Sequence, residues 1–325
     1  MHDAVPLRTI LLTGAAGFIG SHTAEALLGA GHRVIGVDDL STGSRANLDE
    51  AVSNARFRFV HEDVLEAGFL GELVATTRPD AIVHLAGLVS VDRAERDPAL
   101  NFRLNVEATQ VVAEAARTSG VPRVVFASSA AVYGNSQDLP LRESGLPGPA
   151  GNYGNAKLIS ELLLRQYSRS YGFTTICNRY FNVFGPRQDP TSPYSGVVSV
   201  FTDLLAKDQP VTIFGDGTQT RDFISVHDVA RANLLAATAP GVESGSYNIC
   251  TGNSRSLLDL LKALKEVCPS APMPRFGDPR PGDIQHSRGA PELAAARLGF
   301  TARTDFQNAM HELTQMKTTP ACQTA

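Results

Sequence analysis

The sequence predicts an α/β fold: a doubly wound parallel sheet followed by a smaller C-terminal α/β unit. Three observations carry this prediction. Strand-like apolar runs alternate with helical segments through the first half of the chain. Those runs are almost continuously apolar, as strands buried on both faces are. A glycine-rich turn joins the first run to the first helical segment.

The runs are Thr9–Thr13, Arg33–Val37, Phe57–Val60, Ala81–Leu85 and Val124–Ala127. Helical periodicity separates them, for example over Ile19–Leu28 and Leu104–Ala116. Phe173–Asn178 reads as a further strand of the same sheet. Phe184–Ser195 is rich in Pro, Asp and Ser and reads as a long loop. Helical patterns return at Val197–Ala206, Val226–Ala237 and Leu257–Val267. Pro269–Pro281 holds five of the chain's prolines and is expected to be irregular. A last helix is expected over Asp305–Met316, and the small, polar tail Thr318–Ala325 is expected to be mobile.

The 325 residues, 43% hydrophobic and 19% charged, suffice for a large globular core. A net charge of -4 provides no basic stripe, which argues against sequence-independent nucleic-acid binding. No apolar run approaches the ~18 residues of a membrane span. Met1–Pro6 lacks a signal pattern, so the expected compartment is the cytoplasm. Cys177, Cys250, Cys268 and Cys322 have no metal-ligand spacing, and neither do the eight histidines. No metal is expected.

The run Gly14-Ala15-Ala16-Gly17-Phe18-Ile19-Gly20 follows the first strand and opens the first helix. That is the context a dinucleotide fingerprint requires. Gly14 permits the tight turn, and Gly17 lets the backbone approach a pyrophosphate at the positive end of the helix. Gly20 lets the helix pack closely on the sheet. Phe18 and Ile19 between them are assigned to the same contact. Asp38 ends the second strand, 18 residues beyond Gly20. A carboxylate there accepts hydrogen bonds from the adenosine ribose and repels a 2′-phosphate, so the expected cofactor is NAD. Asp39 is either a second contact or a turn cap. Asp63 and Val64 after the third strand are expected near the adenine. Leu85, Ala86 and Gly87 after the fourth would let the backbone run against the cofactor.

The second half of the signal is Ser129, Tyr153 and Lys157. Tyr153 and Lys157 are four apart and share one face of a helix. A phenol with a pKa near ~10 is too weak a base at neutral pH. A nearby ammonium favours the phenolate. Tyr153 can then take the proton from a substrate hydroxyl as the carbon is oxidised. Lys157 can also bond the nicotinamide ribose, and Ser129 would hold the substrate oxygen. Ser128 reads as structural. An amphipathic helix can carry such a pair by chance, but this one follows a Ser-ended strand in a chain with the glycine run.

The segments GAAGFIGS, VDDLSTG, HLAGLVSV, FASSAAVYG, YGNAK, RYFNVFGPRQDP, GDGTQTRDFISVHDVA and RPGDIQHS occur in that order. In them the chain, from Leu7 to Met316, resembles the extended short-chain dehydrogenase/reductases of the NAD-dependent epimerase/dehydratase group. The resemblance is to the UDP-glucose and UDP-N-acetylglucosamine 4-epimerases within it. It implies a Rossmann-type NAD-binding domain, residues 1–176 and 223–250, and a nucleotide-sugar-binding domain, residues 177–222 and 251–317. Residues 318–325 form the tail. It also implies a homodimer joined by a four-helix bundle that includes the Tyr-Lys helix.

By the same motifs, Asn182 resembles an asparagine that contacts the diphosphate or sugar. Arg221 and Arg280 resemble arginines that grip the diphosphate, as guanidinium chemistry suits. Phe214 resembles an aromatic packed near the base. Surface salt bridges and a core role would account for these residues too. Arg187 is a further candidate, and Tyr180 is placed among the cofactor contacts.

The resemblance also narrows the reaction. Sugar-nucleotide 4,6-dehydratases carry Thr-Asp-Glu where this chain has Ser129-Ala130-Ala131, and alanine cannot protonate a leaving hydroxyl. A 3,5-epimerase would need a further acid–base pair. A 4-epimerase needs only what is present. Ser287 aligns with a position that is tyrosine in epimerases favouring UDP-glucose and UDP-galactose. A small residue there leaves room for a 2-acetamido group. The expected pair is UDP-GlcNAc/UDP-GalNAc, with UDP-Glc/UDP-Gal as a second pair, although an ordinary loop serine would look the same. The alternatives are a family enzyme acting on a GDP-, CDP- or uronic-acid sugar, and a non-catalytic NAD-binding sensor.

Overall fold

A computed structural model describes residues 6–190, 196–279 and 284–317. Arg280 and the tail 318–325, both singled out above, lie outside the described residues. The first half runs β1 (Thr9–Thr13), α1 (Phe18–Gly29), β2 (Arg33–Asp38), α2 (Asp49–Val52), β3 (Phe57–His61), α3 (Phe69–Thr77) and β4 (Ala81–His84). It continues with α4 (Val91–Arg96), α5 (Pro98–Phe102), α6 (Ala108–Ser119), β5 (Arg123–Ser129), α7 (Asn152–Tyr171) and β6 (Thr174–Tyr180). Then follow β7 (Asn182–Phe184), α8 (Val197–Ala206), β8 (Thr212–Phe214), β9 (Thr220–Ser225), α9 (Val226–Thr238) and β10 (Gly245–Ile249). The chain closes with β11 (Ser254–Ser256), α10 (Leu257–Val267), β12 (Arg275–Gly277), α11 (Glu292–Leu298) and α12 (Phe306–Lys317).

Seven parallel strands form the main sheet in the order β3-β2-β1-β4-β5-β6-β10. The order reverses between β1 and β4, so a ligand crevice opens at the carboxyl ends of those strands. Alternating side chains fill the two faces. Ile10, Leu12, Val83, Val125 and Ile176 pack with Ala24 and Leu27 of α1 and Ala232 and Ala236 of α9. Leu11, Ile35, Ile82, Val124 and Phe126 pack with α3, α6 and α7 through Leu70, Val74, Val112 and Leu164. This is the doubly wound α/β sheet the sequence predicts.

A three-stranded sheet, β11-β9-β7, and the pair β8·β12 form a smaller assembly with α8, α10 and α12. Phe184, Phe201, Leu205, Leu260, Leu264 and Met310 make its core.

Four expectations need adjustment. β12 lies within the proline-rich stretch, because Arg275–Gly277 itself lacks proline and finds a parallel partner in Thr212–Phe214. The loop expected from Phe184 begins after β7. The helix expected from Leu104 starts at Pro98, where Asp97 accepts a hydrogen bond from Leu100 N (3.0 Å) and proline sits at the first turn. A π turn, Arg103–Glu107, then joins α5 to α6. Finally, the expected boundaries at 176/177 and 222/223 cut through strands. β6 stays in the main sheet to Tyr180, and β9 stays in the small sheet to Ser225.

Among the described residues, no helix is long and apolar enough to cross a membrane. No group of three or more His, Cys, Asp or Glu among them could hold a metal ion.

Candidate active site

The glycine turn between β1 and α1 lies against the exit of β4. Gly14 has φ +70°, and a Cβ there would stand 2.7 Å from Ala86 N. A Cβ on Gly20 would lie 1.9 Å from the Gly14 carbonyl oxygen. No side chain therefore fills the cradle at the start of α1, and its geometry fits a dinucleotide pyrophosphate. Phe18 and Ile19 form the first turn of α1 and are half-buried. Asp38 is buried at the end of β2, where its carboxylate accepts hydrogen bonds from Ala16 N (2.9 Å) and Leu40 N (2.8 Å). Burial pushes its pKa up, and those two bonds oppose the shift. Asp39 accepts from the Ser41 N–H and hydroxyl, which is the turn-cap arrangement. Asp63 caps its own turn through Leu65 N, beside buried Val64.

Leu85, Ala86 and Gly87 leave β4 next to Asn105 and Lys157. A Cβ on Gly87 would meet Asn105 Oδ1 at 2.6 Å and Lys157 Nζ at 3.6 Å. Ser129 ends β5, in register with Tyr180 at the end of β6. Tyr153 and Lys157 stand one turn apart on α7, and the Ser129 hydroxyl lies near enough to the Tyr153 phenol to favour its ionised form. Lys157 is only 3% exposed. Its ammonium sits 4.9 Å above the centre of the Phe126 ring, and burial lowers its pKa to about 8. Burial raises the pKa of the Tyr153 phenol, and the nearby Ser129 hydroxyl counters it. Tyr180 donates its hydroxyl to Asn233 Oδ1 (2.7 Å). Ser128 bonds Glu161, consistent with a structural role.

The remaining candidate residues lie on the small assembly. The Thr220 carbonyl accepts hydrogen bonds from Arg221 Nη1 (2.9 Å) and from Ser287 N (3.1 Å). Arg221 and Ser287 therefore meet at one oxygen. Ser287 is 8% exposed. Asn182 opens β7 and is exposed, and Phe214 ends β8 beside Gly277 of β12. Arg187 stands apart from this group: its guanidinium pairs with Glu25 of α1 at 2.6 Å, the salt-bridge alternative.

The profile of the NAD dependent epimerase/dehydratase family matches residues 10–250. The chain belongs to that family. A UDP-glucose 4-epimerase of Mycolicibacterium smegmatis is 39% identical over 291 residues, 89% of this chain and 92% of its own length. The Thermotoga maritima UDP-glucose 4-epimerase, solved with UDP-glucose, superposes with a TM-score of 0.89. It is 35% identical, and the match covers 94% of this chain and 97% of that one. A UDP-N-acetylglucosamine 4-epimerase of Methanobrevibacter ruminantium, in complex with UDP-N-acetylmuramic acid, has a TM-score of 0.90 and 33% identity over 95% of this chain and 97% of its own. The cofactor of this epimerase-family enzyme is NAD.

The epimerase fold also recruits residues that sequence reasoning missed. Asn105, in the π turn, has its Oδ1 buried without a hydrogen-bond partner among the described residues. It lies where Gly87 and Lys157 converge. His84 shares a 2.7 Å hydrogen bond with the Thr13 hydroxyl, and its Nε2 is likewise buried without a partner there. Burial, and then the Lys157 charge, push its pKa to about 3. Glu161, one turn beyond Lys157, pairs with Arg179 at 2.7 Å and also accepts from Ser128 and Ser246. Asp222, fully buried, accepts from Thr251, Gly252 and Gly289, tying the Ser287 loop to β9. The sequence signal for these four is weak: His84 and Asp222 sit inside the segments HLAGLVSV and GDGTQTRDFISVHDVA, Glu161 lies four residues past YGNAK, and Asn105 lies outside every quoted segment.

Proposed function

We propose that this epimerase-family enzyme interconverts UDP-sugars at C4 and accepts 2-acetamido sugars, UDP-GlcNAc and UDP-GalNAc. The 4-epimerase part is supported by the names of its relatives together with the Ser129–Tyr153–Lys157 grouping. NAD, when bound along the β1–α1 turn, supplies the hydride acceptor and donor. Tyr153 takes the proton from the C4 hydroxyl and returns it. Ser129 holds that oxygen, and the Lys157 charge favours the phenolate. Asn182, Arg221 and Arg280 hold the diphosphate while the sugar ring turns over, so one proton-transfer group serves both faces. Ala130 and Ala131 offer no acid for dehydration.

The observation that carries the sugar preference is Ser287, a small buried side chain anchored beside Arg221 at the Thr220 carbonyl. A tyrosine ring at that position would occupy acetamido volume. UDP-Glc/UDP-Gal is the second reading, favoured by the names of the Mycolicibacterium and Thermotoga relatives. The reading includes a division into an NAD-binding and a nucleotide-sugar-binding lobe. It also includes a homodimer built on α7, where Ile159 and Leu162 are exposed on one helix face. The test is turnover of separate UDP-GlcNAc and UDP-Glc samples without added NAD, followed by proton NMR of the sugar. The C4 epimer is expected from both, faster from UDP-GlcNAc. No epimer from either, with NAD then supplied, would overturn the reading.

A further inference from the structure

We propose that Glu95 of α4 is a positioning residue for Tyr153, acting by fixing the first turn of α7. The inference rests on the reading of Tyr153 as the proton-transfer group. A helix start leaves backbone N–H groups without intrahelical acceptors. At α7 the capping position is Gly151, extended at φ -144° and ψ 176°, and it offers no side-chain cap. Glu95 supplies the acceptor from another element. Its Oε1 accepts the Asn152 N–H at 2.5 Å, and its Oε2 accepts the Asn152 side-chain amide at 2.8 Å.

Three neighbours make this a built clamp. A Cβ on Gly151 would stand 2.5 Å from Glu95 Oε1, so glycine at 151 is what lets the carboxylate approach. The Asn152 carbonyl is held from its other side by Asn101 Nδ2 at 2.9 Å. Asn101 in turn accepts from Asn105 Nδ2 at 2.8 Å, and that amide also bonds the Leu88 carbonyl at 3.0 Å. Asn152 is thus gripped at its N–H, its side chain and its carbonyl, and the next residue is Tyr153. A negative charge at a helix N-terminus is itself favourable. The clamp ties the segment leaving β4 to the helix that carries the phenol. It therefore bears on where the phenol stands relative to Ser129, more than on how tightly ligands bind.

The test compares Glu95→Ala, Glu95→Gln and Asn152→Pro in the NAD-loaded protein, using whichever of UDP-GlcNAc and UDP-Glc turns over faster. Glutamine keeps an acceptor for the Asn152 N–H and, with the Asn152 amide turned over, a partner for its side chain. Proline at the first helical position has no N–H to satisfy and is pre-organised for the helix. For Glu95→Ala we expect kcat to fall about five- to tenfold, with KM and retained NAD within about twofold, as a displaced reacting group requires. Glu95→Gln should retain most of kcat. In an Asn152→Pro background, Glu95→Ala should change nothing further. Wild-type kcat in Glu95→Ala would overturn the proposal. So would a loss in Glu95→Gln as large as in Glu95→Ala, or an undiminished loss in the proline background. Tyr153→Phe run in parallel separates the two readings, because activity surviving there faults the proton-transfer assignment itself.

Discussion

The Lys157 ammonium lies 5.7 Å from the centre of the Tyr153 ring and 4.9 Å from that of Phe126. Burial takes water away from this cation, which is why its pKa falls to about 8 even though both ring faces attract it. In the proposed mechanism the phenolate of Tyr153 depends on that charge. We expect Tyr153→Phe to lower kcat by about 10²- to 10⁴-fold with little change in KM. In the wild type, kcat/KM should decline as pH rises through about 8, because the free enzyme then loses the Lys157 proton. Initial rates across pH 6 to 10, in roughly half-unit steps, check both statements.

Ser287 gives a prediction about selectivity. Ser287→Tyr should lower the ratio of kcat/KM on UDP-GlcNAc to that on UDP-Glc by roughly 10- to 200-fold, the range open to a steric pocket. Parallel kinetics on the two sugars measure it. An unchanged ratio would remove Ser287 from the sugar pocket.

The Glu161–Arg179 pair ties α7 to the sheet out of reach of water. Removing one partner strands the other charge, so Glu161→Gln or Arg179→Met should cost about 3–5 kcal/mol. Replacing both with apolar residues should cost less than the sum of the single changes. Urea unfolding of the three variants tests this.

His84 shapes the acid limb of stability. Its pKa is near 3 in the folded chain against the ordinary 6.5 of histidine, so the unfolded chain binds the proton first. The His84 contribution to stability is complete above pH 6.5 and is lost as pH drops from there towards 3. His22, lowered by burial to about 4, adds to the same slope. His84→Gln should flatten the curve of urea midpoint against pH between about 6.5 and 4.

What was legible in the sequence was set by short covalent spacings. The Gly14–Gly20 turn and the Tyr153/Lys157 separation of one helical turn needed no tertiary partner to be read. The main-sheet strands could be read because burial on both faces writes itself as continuous apolar runs. Asn105 could not be read, because a π turn shifts the phase of a helix without any residue announcing it. β12 was hidden for a different reason: three residues among prolines become a strand only when Thr212–Phe214 lies alongside. Asp222 looks like a surface charge next to Arg221 until the folded chain closes over it with three backbone N–H groups.

The seventh strand of the main sheet, β10, enters only after the chain has built β7, β8 and β9, and α9 covers the same sheet from that late stretch. Neither lobe is therefore a contiguous stretch of gene. A fragment ending at Tyr180 would bare the Ile176 edge and the Ala24–Leu27 face of α1 that Ala232 and Ala236 close. Exchanging the smaller assembly between homologues calls for several crossovers rather than one.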